Sequence, residues 1–391
     1  MSFLRIITFI LLYFSVACSL NDELNIIALY VAVPLSFVLS FIVGKNSLFS
    51  NVYIRIILIL YLWVLFSSFF AYSFEDAQRT LHQCLGTFLI CVTFANLATE
   101  KKNISLLYGL YIVIFIATIF YASHYLIDTS FDTEVDRASD DKLNANTIAY
   151  YTFFFTITIF VLGIVAKNVI ISRFFKLFFL FLIPLSFIIA IYTASRQVLI
   201  IQVPLLICLL LIRYWRKSNP ITKLLFVAVG IIIILVIINT IDGVYQDTLL
   251  AQRSDNDLED ETRYLIIQNA FNVGLEHPFF GVGPGNYLNF DPNGAFSHST
   301  YLELFACTGF IGFLIYFILL IMLVINSLKE YKISKNPLFL TFFIFAVIFM
   351  IDNLFFVFYN GVWLLGFFIL IASHELLLIK EERNNLSITP E

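Results

Sequence analysis

The sequence predicts an all-α polytopic membrane protein with about twelve transmembrane helices, and two observations lead to this fold class. Of the 391 residues, 60% are apolar and 13% are charged, whereas a soluble domain has about half apolar and about 25% charged residues. The apolar residues also form long runs of about 20, the length that a helix needs to cross a bilayer. This composition excludes a soluble enzyme.

The apolar runs define the predicted spans in chain order. They are 3–20, 24–44, 51–72, 80–98, 104–127, 147–166, 175–193, 197–213, 222–241, 299–328, 337–358 and 361–379. We interpret the first run as an uncleaved helix, because counting it as a span is consistent with the alternating directions of all later spans.

Positive charge sets the predicted orientation. With a cytoplasmic N-terminus, 17 of the 23 Lys and Arg residues lie at inner helix ends. The six on the outer side are Arg79, Arg137, Lys142, Arg196, Arg253 and Arg263. The positive-inside rule therefore predicts that both termini are cytoplasmic.

The chain is predicted to form a single transmembrane domain, 1–391, with two long periplasmic loops at 128–146 and 242–298. Long loops are often functional. In the second loop, Thr262 to Val273 places Leu265, Ile266, Ala270, Phe271 and Val273 at helical spacing. This pattern predicts a short amphipathic helix on the outer face of the bilayer.

Several other functions find no support in the sequence. A net charge of −4 gives no sign of nucleic-acid binding. The five cysteines lie in apolar runs without a CxxC pair, so neither a disulfide framework nor a thiolate metal site is predicted. The segment Gly281 to Asn286 lacks the third glycine of a dinucleotide loop and indicates a tight turn instead. No cofactor and no metal are predicted.

Polar residues at the outer face are informative, because charge beside hydrocarbon is costly. Arg196 lies in a tight turn between two spans, where its planar fork suits phosphate oxygens, although an interfacial anchor would look the same. Arg263 follows an acidic stretch, so a diphosphate contact and a local salt bridge are both open. His298 precedes the tenth span, where it is either a general base or an interfacial histidine.

Three segments together resemble the O-antigen ligase and O-antigen polymerase superfamily of bacterial envelope polysaccharide assembly. They are Thr193-Ala-Ser-Arg196, then the Arg263 helix with His277-Pro-Phe-Phe-Gly-Val-Gly-Pro-Gly-Asn-Tyr287, then Ser297-His298-Ser-Thr-Tyr301-Leu-Glu with Thr308-Gly-Phe-Ile-Gly312. The last two are the most specific, since the family typically has a Gly-x-Gly turn, a His before Tyr-Leu, and Thr-Gly-x-x-Gly in the next span.

The resemblance implies a membrane glycosyltransferase that uses glycans carried on undecaprenyl diphosphate, on the periplasmic side of the inner membrane, by metal-independent inverting transfer. It places the two diphosphate-binding arginines at Arg196 and Arg263 and the general base at His298. Further residues expected to line the cleft are Asn144, Asn146, Tyr287, Tyr301, Glu303 and Asp352. Glu303 and Asp352 have the alternative of a hydrogen-bonded pair between helices.

The function predicted is a polymerase of O-antigen or capsular repeat units. The nearest alternative is the ligase that moves finished polymer to lipid A-core, and an alternative of another class is a transporter or flippase of lipid-linked sugars. The predicted partners are the lipid-linked oligosaccharide, the glycan acceptor, the lipid bilayer and a chain-length regulator protein. The transporter is disfavoured because its site should lie near the midplane, whereas the ionisable residues here cluster at the outer rim.

Overall fold

The computed structural model describes residues 2–18, 26–128, 145–166, 168–193, 201–215, 219–221, 257–292, 294–359 and 361–386. Within these ranges the chain is helical and has no strand, which confirms the all-α prediction. The α-helices described are α1 Ser2–Cys18, α2 Val33–Val43, α3 Val52–Ser67, α4 Phe74–Ala98, α5 Lys101–Asp128, α6 Ala145–Val165, α7 Val169–Thr193, α8 Val203–Trp215, α9 Asp257–Glu276, α10 Thr300–Ser334, α11 Pro337–Asp352 and α12 Val362–Leu386. A π-helical turn precedes α2, and 3₁₀ turns follow α3 (Ser68–Phe70) and precede α10 (Asn286–Asn289).

Four helical segments among the described residues are long and apolar enough to cross a membrane. They are Val52–Phe70, Phe74–Ala98, Lys101–Ile119 and Thr300–Ser334. Six shorter apolar helices coincide with other predicted spans: Phe3–Cys18, Ala28–Val43, Tyr151–Val165, Pro204–Arg213, Pro337–Asp352 and Leu365–Ile379. The predicted span 222–241 lies outside the described residues, and the number of spans and their orientation stay predictions.

Several helix boundaries differ from the predicted spans, among them the start of α4 and the end of α11. Helix α4 begins at Phe74 rather than near residue 80, because the Ser73 hydroxyl accepts a hydrogen bond from the Asp76 N–H (3.4 Å) and Glu75 adds negative charge to the first turn. Helix α11 ends at Asp352 rather than near residue 358. The residues that follow α11 turn back towards the start of α10, as described below.

The chain separates into two compact units. The first comprises Met1–Leu110, Glu261–Lys335 and Ala346–Glu391, and in it α12 lies along α4 while α10 packs on α3. The second comprises Tyr111–Asp260 and Asn336–Phe345, and in it α6 lies along α7. A buried Gln202 side chain donates to the hydroxyls of Thr156 and Ser186 in this second unit. The described geometry around His298 belongs to the first unit.

Candidate active site

Helix α9 spans the segment in which a short helix was predicted, but only part of the predicted apolar face is buried. Ile266, Ala270 and Val273 are buried in a small apolar core that also contains Tyr287 and Cys307. Leu265 and Phe271 were expected on the same face, yet they are 55% and 47% exposed. The buried face of α9 therefore packs on the protein's own loop.

The Tyr287 side chain fixes this loop from inside. Its hydroxyl donates to the main-chain carbonyl of Ile266 (2.9 Å), and the Asn269 amide donates to the carbonyl of Phe290 (3.0 Å). Burial raises the pKa of Tyr287, so its hydroxyl keeps the donor proton that this bond needs. Arg263 lies on α9 about one turn before Ile266.

The predicted tight turn forms at Gly281, Gly283 and Gly285, which have φ of 66°, 100° and 70°. L-residues rarely adopt these angles. A Cβ at Gly281 would lie 2.2 Å from the carbonyl carbon of Cys307, and one at Gly285 would lie 2.2 Å from the Thr80 hydroxyl. The glycines are therefore required both for the backbone angles and for close packing.

Helix α10 is broken at Gly309 (φ 72°, ψ −177°), and the tight turn satisfies the main-chain groups that the break releases. The N–H groups of Val282 and Gly283 donate to the carbonyls of Ala306 (2.9 Å) and Cys307 (3.0 Å). The Phe310 N–H donates in turn to the carbonyl of Pro278 (2.8 Å). Because unsatisfied main-chain groups are costly away from water, the turn and the break depend on each other.

The tight turn is also bonded to the C-terminal part of α3 and to Ser73, which precedes α4. The Asn286 side chain accepts from the Ser73 N–H (2.5 Å) and donates to the Ser73 carbonyl (3.1 Å). The Ser67 hydroxyl donates to the carbonyl of Phe280, and the Trp63 indole donates to the carbonyl of Thr308 (2.9 Å). These bonds place the turn between α3 and the broken part of α10.

His298 lies directly before α10 in a left-handed backbone conformation (φ 55°). Such a conformation is unfavourable for an L-residue and persists only where neighbouring bonds impose it. On one side, the Ser297 N–H donates to the Glu303 carboxylate (2.9 Å), and the Ser297 hydroxyl donates to the Ser299 carbonyl (2.9 Å). The His298 side chain is half-buried.

The segment after α11 holds the other side of the His298 turn. The Thr300 N–H donates to the carbonyls of both Asn353 and Phe356 (each 2.9 Å). The Thr300 hydroxyl donates to Phe356 (2.6 Å) and accepts from the Phe358 N–H (2.9 Å). His298 is therefore presented from a turn that bonds fix on both sides.

The remaining predicted residues occupy different places. Tyr301 is 9% exposed and its hydroxyl donates to the carbonyl of Met350 (2.9 Å). Asp352 is fully buried, and neither carboxylate oxygen has a hydrogen-bond partner among the described residues. Glu303 bonds to Ser297 rather than pairing with Asp352. Asn146 lies on α6 in the second unit, while Arg196 and Asn144 lie outside the described residues.

Residues 177–317 match a family model described as O-antigen ligase. This match confirms the predicted resemblance to the O-antigen polymerase and ligase superfamily. It indicates O-antigen polymerase or ligase type function and supports a membrane enzyme similar to glycosyltransferases. The matched range contains Arg196, Arg263 and His298 together with the tight turn. No curated protein matches the chain.

Sequence reasoning missed the residues that position this candidate site. Ser297 and Asn286 stood inside the quoted motifs, but nothing in their spacing indicated that they bond to Glu303 and Ser73. Ser67 lies within an apolar run in which a hydroxyl usually bonds to its own helix. Its bond to Phe280, far along the chain, has no sequence signal.

Proposed function

We propose that this protein joins undecaprenyl-diphosphate-linked repeat units into O-antigen or a capsular polysaccharide on the periplasmic side of the bacterial inner membrane. The observation that carries the proposal is the His298 turn, which lies within the range that matches the O-antigen ligase family model and is fixed by Glu303 and Thr300. A strained, well-supported residue of this kind is typical of active sites. Imidazole has a pKa of about 6.5 when unperturbed, which suits a general base near neutrality.

In the proposed reaction, the His298 imidazole accepts the proton of an acceptor sugar hydroxyl. The oxygen then attacks the anomeric carbon of the lipid-linked glycan and forms the new glycosidic bond. The bond from that carbon to the diphosphate breaks at the same time, with inversion, and undecaprenyl diphosphate leaves with the electron pair. Undecaprenyl diphosphate is already a stable leaving group at neutral pH. Besides the base, the enzyme therefore needs only groups that bind the diphosphate and neutralise its charge.

Arg196 and Arg263 are proposed to supply that neutralisation. Guanidinium groups donate in a planar fork that matches phosphate oxygens. Helix α9 supports the assignment of Arg263, because Tyr287 and Asn269 fasten the helix to the loop core about one and two turns away. Two arginines provide enough positive charge for a diphosphate without a metal in the proposed mechanism.

The ligase reaction is the second candidate, because the matched family model is described as O-antigen ligase. The same groups would serve both reactions, because the donor is a glycan on undecaprenyl diphosphate in each case. The acceptor differs: another lipid-linked repeat unit in the polymerase, lipid A-core in the ligase. A chain-length regulator protein is a proposed partner of the polymerase.

The test is a silver-stained gel of lipopolysaccharide from the source strain, with the gene deleted and then restored. A ladder that collapses to core plus one repeat unit supports the polymerase. Loss of all O-antigen from the core, with accumulation of lipid-linked polymer, supports the ligase. Restoration with His298→Ala should fail, whereas His82→Ala should restore the ladder, because the exposed His82 ring meets only Tyr30 edge-to-face among its described ring contacts.

An unchanged ladder and an unchanged capsule in the deletion strain would contradict the proposal. Membrane insertion of His298→Ala, measured by immunoblotting of the membrane fraction, excludes loss of the protein as the cause.

A further inference from the structure

The connection between α3 and α4 presents an exposed aromatic ring in a fixed position. The Tyr72 side chain is 74% exposed, although its main-chain N–H donates to the carbonyl of Val282 (3.0 Å). Its ring meets Phe290 edge-to-face, with centroids 5.3 Å apart. Phe290 also meets the exposed His277 ring, with centroids 6.1 Å apart. The three rings form a small aromatic surface, which we call the Tyr72 surface.

A pair of polar side chains lies beside the Tyr72 surface in the chain. The Asn289 amide donates to the Asp76 carboxylate (3.0 Å), which holds the two side chains together. Asn289 immediately precedes Phe290, and Asp76, in the first turn of α4, follows Tyr72 by four residues in the chain. The pair retains carboxylate and amide oxygens that accept further hydrogen bonds and one amide N–H that donates.

The charged surroundings indicate that the Tyr72 surface faces water rather than acyl chains. Glu75, Asp76 and Arg79 occupy the first turns of α4, and charged groups avoid hydrocarbon. Phe69 is 77% exposed and lies within Val52–Phe70, a segment apolar enough to cross a membrane, so it provides a contrast. An aromatic surface in water beside hydrogen-bonding oxygens suits a ligand with one apolar face and several hydroxyl groups.

We propose that the Tyr72 surface and the Asp76–Asn289 pair form a subsite for a sugar ring of the glycan substrate. The C–H face of a pyranose would pack on Tyr72, whose flat ring has an apolar body and a polar tip. The sugar hydroxyls would bond to Asp76 and Asn289. The identification of the ligand as part of the substrate rests on the proposed function, whereas the recognition of a sugar rests on the surface itself.

The test measures binding of a free oligosaccharide to the full-length protein in lipid nanodiscs. The probe is the oligosaccharide repeat unit released by mild acid from the envelope polysaccharide of the source strain, and the readout is saturation-transfer NMR with titration. Tyr72→Ala should weaken binding about tenfold through loss of the stacking surface. Tyr72→Phe should bind within about twofold of the wild type, since the ring is retained.

Phe69→Ala is the matched control, because it removes an exposed aromatic ring from the same end of α3 and should leave binding unchanged. Equal binding by Tyr72→Ala and the wild type, or no binding by the wild type, would overturn the subsite. His298→Ala separates the two proposals: it should lose transfer and still bind the oligosaccharide. If the deletion strain keeps its polysaccharide, the proposed function fails, but Tyr72-dependent binding would still support the subsite.

Discussion

The Glu303 carboxylate accepts a hydrogen bond from the main-chain N–H of Ser297 at 2.9 Å, across the turn that presents His298. Glu303 is 1% exposed, so this bond forms away from water. The carboxylate therefore joins the first turn of α10 to the residue before the histidine. We infer that Glu303 is a positioning residue for His298.

Replacement of Glu303 should test this positioning. Glu303→Gln keeps an oxygen that accepts from Ser297, whereas Glu303→Ala leaves the Ser297 N–H without that partner. We expect Glu303→Ala to lose about 100-fold in transfer, since displacement of a catalytic group by about 1 Å has effects of that size. Glu303→Gln should retain most of the activity of the wild type.

The measurement is polymer formation in the complemented deletion strain, with protein quantified in the membrane. Equal loss in both variants, at normal protein levels, would indicate a direct chemical role for the carboxylate instead of a positioning one.

The left-handed backbone of His298 gives a second prediction, which separates chemistry from stability. His298→Ala and His298→Gly both remove the imidazole, so transfer should fall about 10²- to 10⁴-fold in each. Glycine accepts a φ of 55° without strain. His298→Gly should therefore be more stable than His298→Ala by about 1 kcal/mol in thermal unfolding of the detergent-solubilised protein.

Lys335, the other described non-glycine residue with positive φ (56°), is the control for that experiment. Lys335→Gly should raise stability by a similar amount and leave transfer unchanged, because Lys335 ends α10 far along the helix from His298. Normal transfer by either His298 variant would remove the histidine from the mechanism.

Two glycines with nearly equal φ give a third prediction. An L-residue in place of Gly281 (φ 66°) or Gly294 (φ 62°) would have similar backbone strain. Only at Gly281 would its Cβ also collide with the protein, 2.2 Å from the Cys307 carbonyl carbon. Gly294→Ala should lower the free energy of unfolding by about 1 kcal/mol. Gly281→Ala should lower it by about 3 kcal/mol or more, since the main chain must also shift.

Thermal unfolding of the two purified variants checks this difference. Similar losses of stability would mean that the turn moves freely away from α10, against the bonds from Val282 and Gly283 to Ala306 and Cys307.

Local features of the fold could be predicted from the sequence, whereas features that depend on distant contacts could not. Apolar runs and the Gly281–Gly285 turn were predictable, because hydropathy and the need for positive φ are local properties. The start of α4 and the end of α11 were not predictable. A Ser73 cap decides the first, and the contact of Thr300 with Phe356 decides the second. The residues that support His298 are distant in sequence, and no local signal reports such bonds.

The final prediction concerns the shape of the cations at the proposed diphosphate site. Arg196→Lys and Arg263→Lys preserve charge but replace a planar fork of donors with a point charge. Because bidentate bonding to phosphate is lost, we expect transfer to fall about 10- to 100-fold in each variant. Arg137→Lys makes the same change in the other predicted loop, 128–146, and should leave transfer unchanged. Polymer yield at equal membrane protein level is the measurement. Full activity of Arg263→Lys would show that charge alone is sufficient on α9, and the assignment of a bidentate diphosphate contact there would be withdrawn.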